Sequence, residues 1–261
     1  MSTVTATRPR TTRQVAHVMG MPISLALRGR HAGTPVGERA WLEAVATLRD
    51  VDRVFSTYRA DSHVSRLGRG EIGLAECPPE VAEVLAIGEL ARVQSGGAFD
   101  VRRPGPDGRP VLDPSGVVKG WGVERAARTL LALDDTDVCL SAGGDMVCHV
   151  ADPARDPWLV GIEDPHDPSR VLARVPVRHG AVATSGTAHR GEHIVDARTG
   201  STATGVAQVT VVGPDLTWTD VDATAAYALG AGALAWLATR TGRTGLVVWE
   251  DGRCETFGRA G

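Results

Sequence analysis

Apolar positions recur along the chain with two different periods, and the switches between them predict its elements. Over 15–28 apolar and β-branched residues alternate in part, which predicts a strand interrupted at Met19-Gly20. Over 38–54, Trp41, Leu42, Val45, Leu48, Val51 and Val54 fall at helical spacing. Residues 55–78 read as a polar loop with Gly68, Gly70 and Gly73. A second helix is expected over 79–94, with Pro79 at its start and Ser95-Gly96-Gly97 as its stop. A Pro/Gly/Arg loop over 101–110 then leads to a third helix, from Lys119 or Gly120 to Leu133.

The second half of the chain is richer in strands. Residues 138–150 read as a hairpin around Gly143-Gly144-Asp145. Short strands are expected over 158–163, 171–177, 182–185 and 206–212, an Ala-rich helix over 220–239, and a closing strand over 244–250. Strand and helix runs are mixed rather than alternating, which predicts an α+β fold. With no internal repeat or low-complexity linker, 15–261 reads as one compact unit behind a disordered tail over 1–14.

Composition narrows the function classes. An apolar fraction of 43% supports a packed core, and a formal charge of −3 argues against nucleic acid as a partner. No apolar run reaches the length of a membrane span. The first residues hold Arg8, Arg10 and Arg13 and no acid precedes Glu38, but there is no apolar signal core and no lipid-accepting Cys. The expectation is a cytoplasmic protein without a membrane anchor. Cys77, Cys139, Cys148 and Cys254 show no zinc-ligand spacing and read as buried free thiols.

Lysine usage singles out one residue. The 28 basic residues are 27 Arg and a single Lys, Lys119, and the chain has no Asn. Such a bias points to a GC-rich genome, in which an exposed cation drifts to Arg at little cost. Lys119 is either a chance survivor or a position that needs a compact ammonium rather than a planar fork.

Polar clusters flanked by glycine fall outside the amphipathic pattern: 55–62, 97–100, 112–120, 143–145, 183–186, 193–200 and 219–225. Asp220 and Thr224 are four apart at an expected helix start, so a carboxylate and a hydroxyl share one face. They either hold a hard cation such as Mg²⁺ or form the acidic cap of a core helix. His193 is a candidate general base.

Taken in order, these clusters resemble the FAD:protein FMN transferases, the ApbE-type flavin transferases. The pattern runs Met19-Gly20, Phe-Ser-x-Tyr-x-x-x-Ser over 55–62, Gly-x-Phe-Asp over 97–100, and Leu-Asp-x-x-x-x-x-Lys-Gly over 112–120. Gly-Gly-Asp, Thr-Ser-Gly, His-Ile-x-Asp-x-x-Thr-Gly and Asp-x-x-x-Thr-Ala follow. The resemblance implies a compact flavin-transferase fold of mixed β-sheets packed by helices. It implies FAD contacts at Met19, Tyr58, Ala98, Phe99, Asp100, Asp113, Lys119 and Ile194. It implies a Mg²⁺ site made by the Gly116 carbonyl, Asp220 and Thr224. The implied reaction moves FMN from FAD to a Ser or Thr hydroxyl of an acceptor protein and releases AMP. In it Lys119 faces the diphosphate and His193 takes the acceptor proton, with Asp113 or Asp100 as a substitute.

The chain departs from the family in places. Only the twelve residues 101–112 separate Asp100 from Asp113, a shortened segment that bears on acceptor docking. His63 stands where the family often has Glu, Gly116 where a small residue such as Ala is usual, and Pro114 where Leu is common. Two other readings stay open: an FAD pyrophosphatase giving FMN and AMP, and a non-catalytic FAD-binding protein.

Overall fold

The computed structural model describes residues 11–105, 109–186 and 194–258. The chain opens with β1 (Thr11–Val18) and β2 (Met21–Gly29). Met19 and Gly20 join them with φ of 55° and 70°, the two left-handed positions of a tight hairpin turn. The interruption expected at this pair is that turn. Residues 11–14 belong to β1, so the expectation of a disordered tail fails for them; 1–10 lie outside the described residues.

Helix α1 (Pro35–Phe55) starts earlier than its apolar spacing predicts. Thr34 caps it by accepting from Gly37 N at 3.3 Å, and Pro35 suits the first turn. The expected polar loop after it holds helix α2 (His63–Gly68), capped by Ser62, and a 3-10 turn at Leu74–Glu76. Helix α3 (Pro79–Gln94) matches its expected bounds. The short segment 101–112 folds as a small hairpin of β3 (Arg102–Pro104) and β4 (Pro110–Leu112).

Helix α4 (Ser115–Leu131) also begins earlier than expected: Pro114 is its N-cap, and just before it Asp113 Oδ1 accepts from Ser115 N at 3.2 Å in a local turn. Lys119 therefore sits inside the helix rather than at its first residue. Strands β5 (Thr136–Ala142) and β6 (Asp145–His149) turn at Gly143 and Gly144, whose φ are 56° and 98°. Next come β7 (Trp158–Asp164), β8 (Asp167–Val177), β9 (His179–Gly186), β10 (Val195–Asp196), β11 (Ser201–Thr202) and β12 (Val206–Gly213).

The long helix expected over 220–239 is two helices. Helix α5 (Leu216–Ala228) is capped by Asp215, and α6 (Ala233–Leu237) follows a 3-10 turn at Gly230–Gly232. Gly230 stops the first with φ of 56°, packed so that a Cβ would lie 2.7 Å from the Thr204 carbonyl. Strands β13 (Thr244–Trp249) and β14 (Cys254–Phe257) close the chain.

One antiparallel sheet of order β1-β2-β5-β6-β9-β12-β13-β14 organises the molecule, so the fold is α+β as expected. On one face Leu25, Leu140, Ala183 and Val209 pack against Leu48, Leu130 and Ala226 of α1, α4 and α5. Beyond these helices, Val81 and Val84 of α3 join Val117, Trp121 and Val221 in a second cluster. The β7–β8 hairpin covers the middle of the opposite face, setting Val160 and Val177 on Cys148 and Val182. Among the described residues no helix is long and apolar enough to cross a membrane. The cysteines are free, but only Cys148 is buried; Cys77 and Cys139 are half-buried and Cys254 is exposed, which corrects the expectation for three of them.

Candidate functional site

A cavity of about 280 Å³ opens where the first turns of α4, the β5–β6 turn, the end of β9 and α5 converge. Its wall includes Gly116, Lys119, Gly143, Gly144, Ser185, Asp220 and Thr224, with Ala98, Phe99, Asp100 and Asp113 from the preceding segments and Ile194 opposite. Sequence-distant pieces reach it by simple means. The Ala197 N–H donates to the Ala98 carbonyl at 3.1 Å, which brings the 194–200 segment to the Ala98–Asp100 wall. Gln208 Nε2 donates to the Glu163 carbonyl at 3.1 Å and ties β7 to β12 at the rim.

A buried charge cluster lies at this cavity. Lys119 Nζ is 2.6 Å from Asp145 Oδ2 and 3.1 Å from Asp220 Oδ1. Both carboxylates are almost wholly buried. Asp220 Oδ2 accepts from Gly120 N at 3.0 Å, and Asp145 Oδ1 from Thr184 N at 3.1 Å. The Gly120 N–H is the donor that a regular helix aims at the Gly116 carbonyl, so that carbonyl competes with a carboxylate for it.

The helices meet closely enough for this contact because residue 120 is glycine. A Cβ there would lie 2.8 Å from the Leu216 carbonyl and 2.9 Å from Asp220 Cβ. Gly116 is likewise tight, since a Cβ would stand 2.9 Å from the Phe99 ring. Glycine at 116 thus answers to Phe99 packing as well as to any use of its carbonyl.

The electrostatics follow from two carboxylates facing one ammonium. Burial pushes the Asp220 carboxyl up, Lys119 opposes, Asp145 adds to the rise, and it settles at about 7. Burial alone would lower the Lys119 ammonium, but Asp220 and then Asp145 outweigh it and hold it above its ordinary value. Among the described residues Asp145 Oδ2 has no aligned hydrogen bond, and the Lys119 ammonium stands 2.6 Å from it. Among the described residues the cluster is one positive charge short.

Asp220 and Thr224 both line the cavity one helical turn apart, and Thr224 Oγ1 lies 3.1 Å from Ser185 Oγ. Carboxylate, hydroxyl and main-chain carbonyl are hard oxygen donors, the set that Mg²⁺ takes. The charge deficit and the unaligned Asp145 oxygen fit a cation here. Among the described residues no group of three or more His, Cys, Asp and Glu could hold a metal. Asp220 lies in the second turn of α5, and Asp215 caps that helix, so the acidic-cap alternative applies to Asp215 instead.

Other expected site residues are placed differently. Asp113 faces the cavity but is held by Arg103 Nε at 3.0 Å and by the Ser115 N–H. Asp100 accepts from Arg102 N at 2.8 Å. Met19 packs at the β1–β2 turn against both core clusters and is not on the cavity wall. Tyr58 is 99% exposed and also stands away from it. His193 lies outside the described residues. Asp145, which pairs with Lys119, and Ser185 and Gln208, which line the cavity, belong to the site without having been singled out. The first two stand inside recognised glycine-flanked clusters, whereas Gln208 sits in an apolar strand with no local signal.

Comparison with known proteins finds likenesses by family and by fold. The ApbE family model matches residues 19–103 and 106–247. The fold is similar to that of the ApbE protein from Thermotoga maritima, at TM-score 0.80 and 20% identity, covering 95% of this chain and 97% of that one. It is similar to the flavinyl transferase ApbE of Pseudomonas stutzeri in its apo form, at TM-score 0.79 and 23% identity, covering 96% of each chain. It is also similar to the flavin transferase ApbE of Vibrio cholerae, at TM-score 0.78 and 20% identity, covering 95% of this chain and 97% of that one. At these identities the likeness is one of fold. A comparison with curated proteins finds no match.

Proposed function

The chain belongs to the ApbE family, and from that premise we propose that it is a Mg²⁺-dependent FAD:protein FMN transferase. The observation that carries this reading is the buried cluster of Lys119, Asp145 and Asp220 at the cavity, short by one positive charge. A diphosphate with its cation needs a site of this kind: a fixed ammonium, a carboxylate, and hard oxygens for the metal.

In the proposed reaction the acceptor hydroxyl oxygen attacks the FMN-side phosphorus of FAD. The bond to the AMP oxygen breaks, and AMP leaves. Asp220, Thr224 and the Gly116 carbonyl would hold Mg²⁺, which when bound neutralises charge on the diphosphate oxygens. Lys119 offers a compact positive charge to the same oxygens, and Asp145 anchors the lysine from the far side. Ala98, Phe99 and Ile194 give the apolar wall suited to the flavin. His193 takes the acceptor proton. Asp113, engaged by Arg103, is the weaker candidate for that role.

The test is incubation with FAD, Mg²⁺ and Ser/Thr-bearing acceptor proteins, followed by denaturation. Covalent flavin fluorescence on an acceptor, with AMP released in equal amount, is expected. AMP production without any labelled acceptor overturns the transferase reading. It would select an FAD pyrophosphatase, which the short β3–β4 hairpin at the rim favours by leaving less surface for an acceptor. Tight FAD retention with no AMP would select a binding protein.

A further inference from the structure

A row of registered residues crosses the sheet on the face away from the helices: Arg13, Ala26, Cys139, Cys148 and Gly180. Cys139 and Cys148 are direct partners on β5 and β6, so their side chains leave the same face. Their sulfurs lie 3.8 Å apart, with Cys148 Sγ donating to Cys139 Sγ. Registered antiparallel partners have Cα separations of about 4.5–5.5 Å, inside the range that a disulfide spans. Cys77 and Cys254 have backbone carbonyls as their sulfur partners.

The two thiols differ in environment. Cys148 is buried beneath the β7–β8 hairpin with Val160 and Val177, and Cys139 is half-buried at the margin of that cluster. The Cys148 hydrogen bond, with Arg28 and Arg13 near by, draws the Cys139 thiol below its ordinary value against the effect of burial. The same hydrogen bond and burial push the Cys148 thiol up.

We propose that Cys139 and Cys148 form an oxidation-sensitive dithiol that hydroperoxides convert to a disulfide, with Cys139 as the attacking sulfur. The Cys139 thiolate attacks one peroxide oxygen. The O–O bond breaks, the second oxygen takes a proton and leaves as water, and Cys139 becomes a sulfenic acid. Cys148 then loses its proton and attacks the Cys139 sulfur. The S–O bond breaks, and the departing hydroxide takes that proton to leave as a second water. The sulfur pair loses two electrons and the peroxide gains them. The bond forms across the β5–β6 hairpin whose tip presents Gly143 and Gly144 to the cavity. It would pin that tip to its present register.

The chain sequence makes the test direct. Trypsin cuts after Arg128 and Arg155, and no Arg or Lys lies between, so both cysteines share one peptide. The full-length protein is treated with hydrogen peroxide, denatured, alkylated and digested without reductant. The expected product is that peptide lighter by two hydrogens and carrying no alkyl group. In Cys148→Ser, Cys139 should be captured by dimedone as the sulfenic acid. In Cys139→Ser, Cys148 should remain a thiol at the same peroxide dose. A wild-type peptide alkylated at both cysteines, or linked instead to Cys77 or Cys254, overturns the proposal. Dimedone capture at Cys148 in Cys139→Ser overturns the assignment of the attacking sulfur. The readout is a mass, so it stands or falls apart from the flavin reading.

Discussion

Asp220 and Asp222 lie two residues apart on α5, both almost wholly buried, yet they answer to opposite charge balances. Asp222 is gripped by two guanidinium groups, Arg240 Nη2 at 2.9 Å and Arg243 Nε at 3.0 Å. These tie α5 to the chain following α6. Asp220 shares a single ammonium with a second carboxylate, Asp145. Burial raises both carboxyls, but only Asp220 is raised further by a like charge. A buried carboxylate with cations to spare is a structural clamp. One that is short of cations is prepared to receive another.

The largest expected effect separates the two aspartates. Asp220→Ala should cut FMN transfer by ~10²–10³, the usual cost of losing a charge-stabilising contact, while urea unfolding shows a folded protein. Asp222→Ala should do the reverse. It strands two partly buried arginines and should cost about 3 kcal/mol in stability, with turnover per folded molecule unchanged. Equal losses of activity in the two variants would dissolve the distinction.

Lys119→Arg tests the shape of the one cation in the deficient cluster. A planar fork cannot take the ammonium's place between two carboxylates that approach it from different elements. Transfer should fall ~10-fold or more, about 1.4 kcal/mol of lost transition-state contact. Turnover like wild type would mean that Lys119 is a chance survivor of codon drift.

Glycines extend the contrast to packing. Gly120→Ala drives a methyl against the Leu216 carbonyl at 2.8 Å and against Asp220 itself, and should cost about 1–3 kcal/mol along with activity. Gly232→Ala, next to α6, meets nothing nearer than Leu229 Cβ at 3.9 Å and has helical φ and ψ. It should be neutral or slightly stabilising in thermal unfolding.

Much of this contrast was legible in the chain, unevenly. Lys119 stood out because the composition removed every other lysine, and Asp220 and Thr224 because their spacing fits one helix face. Asp145 was visible only as the end of a Gly-Gly turn; its burial against Lys119 is a product of sheet register that no local pattern encodes. The bounds of α1 and α4 were missed because the Thr34 cap and the Asp113-Pro114 turn start the helices ahead of the apolar spacing. The long Ala-rich run hid the break at Gly230, because Ala and Leu continue on both sides and only the left-handed φ ends the helix. Tyr58 was legible only through its motif: its side chain is exposed and is not on the cavity wall, so no packing signal marks it.

The smallest effect is the most specific to the charge deficit, and it is read from stability against pH in chelator-containing buffer. Asp220 is raised from 3.8 to about 7 in the folded protein. Between those values the native chain keeps a proton that the unfolded chain has released, so stability falls as pH rises, and the slope flattens above about 7. Asp220→Asn cannot titrate and should lose this slope. The Asp222 carboxyl is also raised by burial, but Arg240 and Arg243 oppose the rise and no second carboxylate adds to it. Asp222→Asn should therefore leave the slope largely in place. Adding Mg²⁺ brings in a competitor for the proton on Asp220, so the rise in melting temperature it causes should grow from pH 6 towards pH 8 in wild type and vanish in Asp220→Asn. A Mg²⁺ effect that is independent of pH, or that survives in Asp220→Asn, would move the cation away from this aspartate and leave the deficient cluster without its purpose.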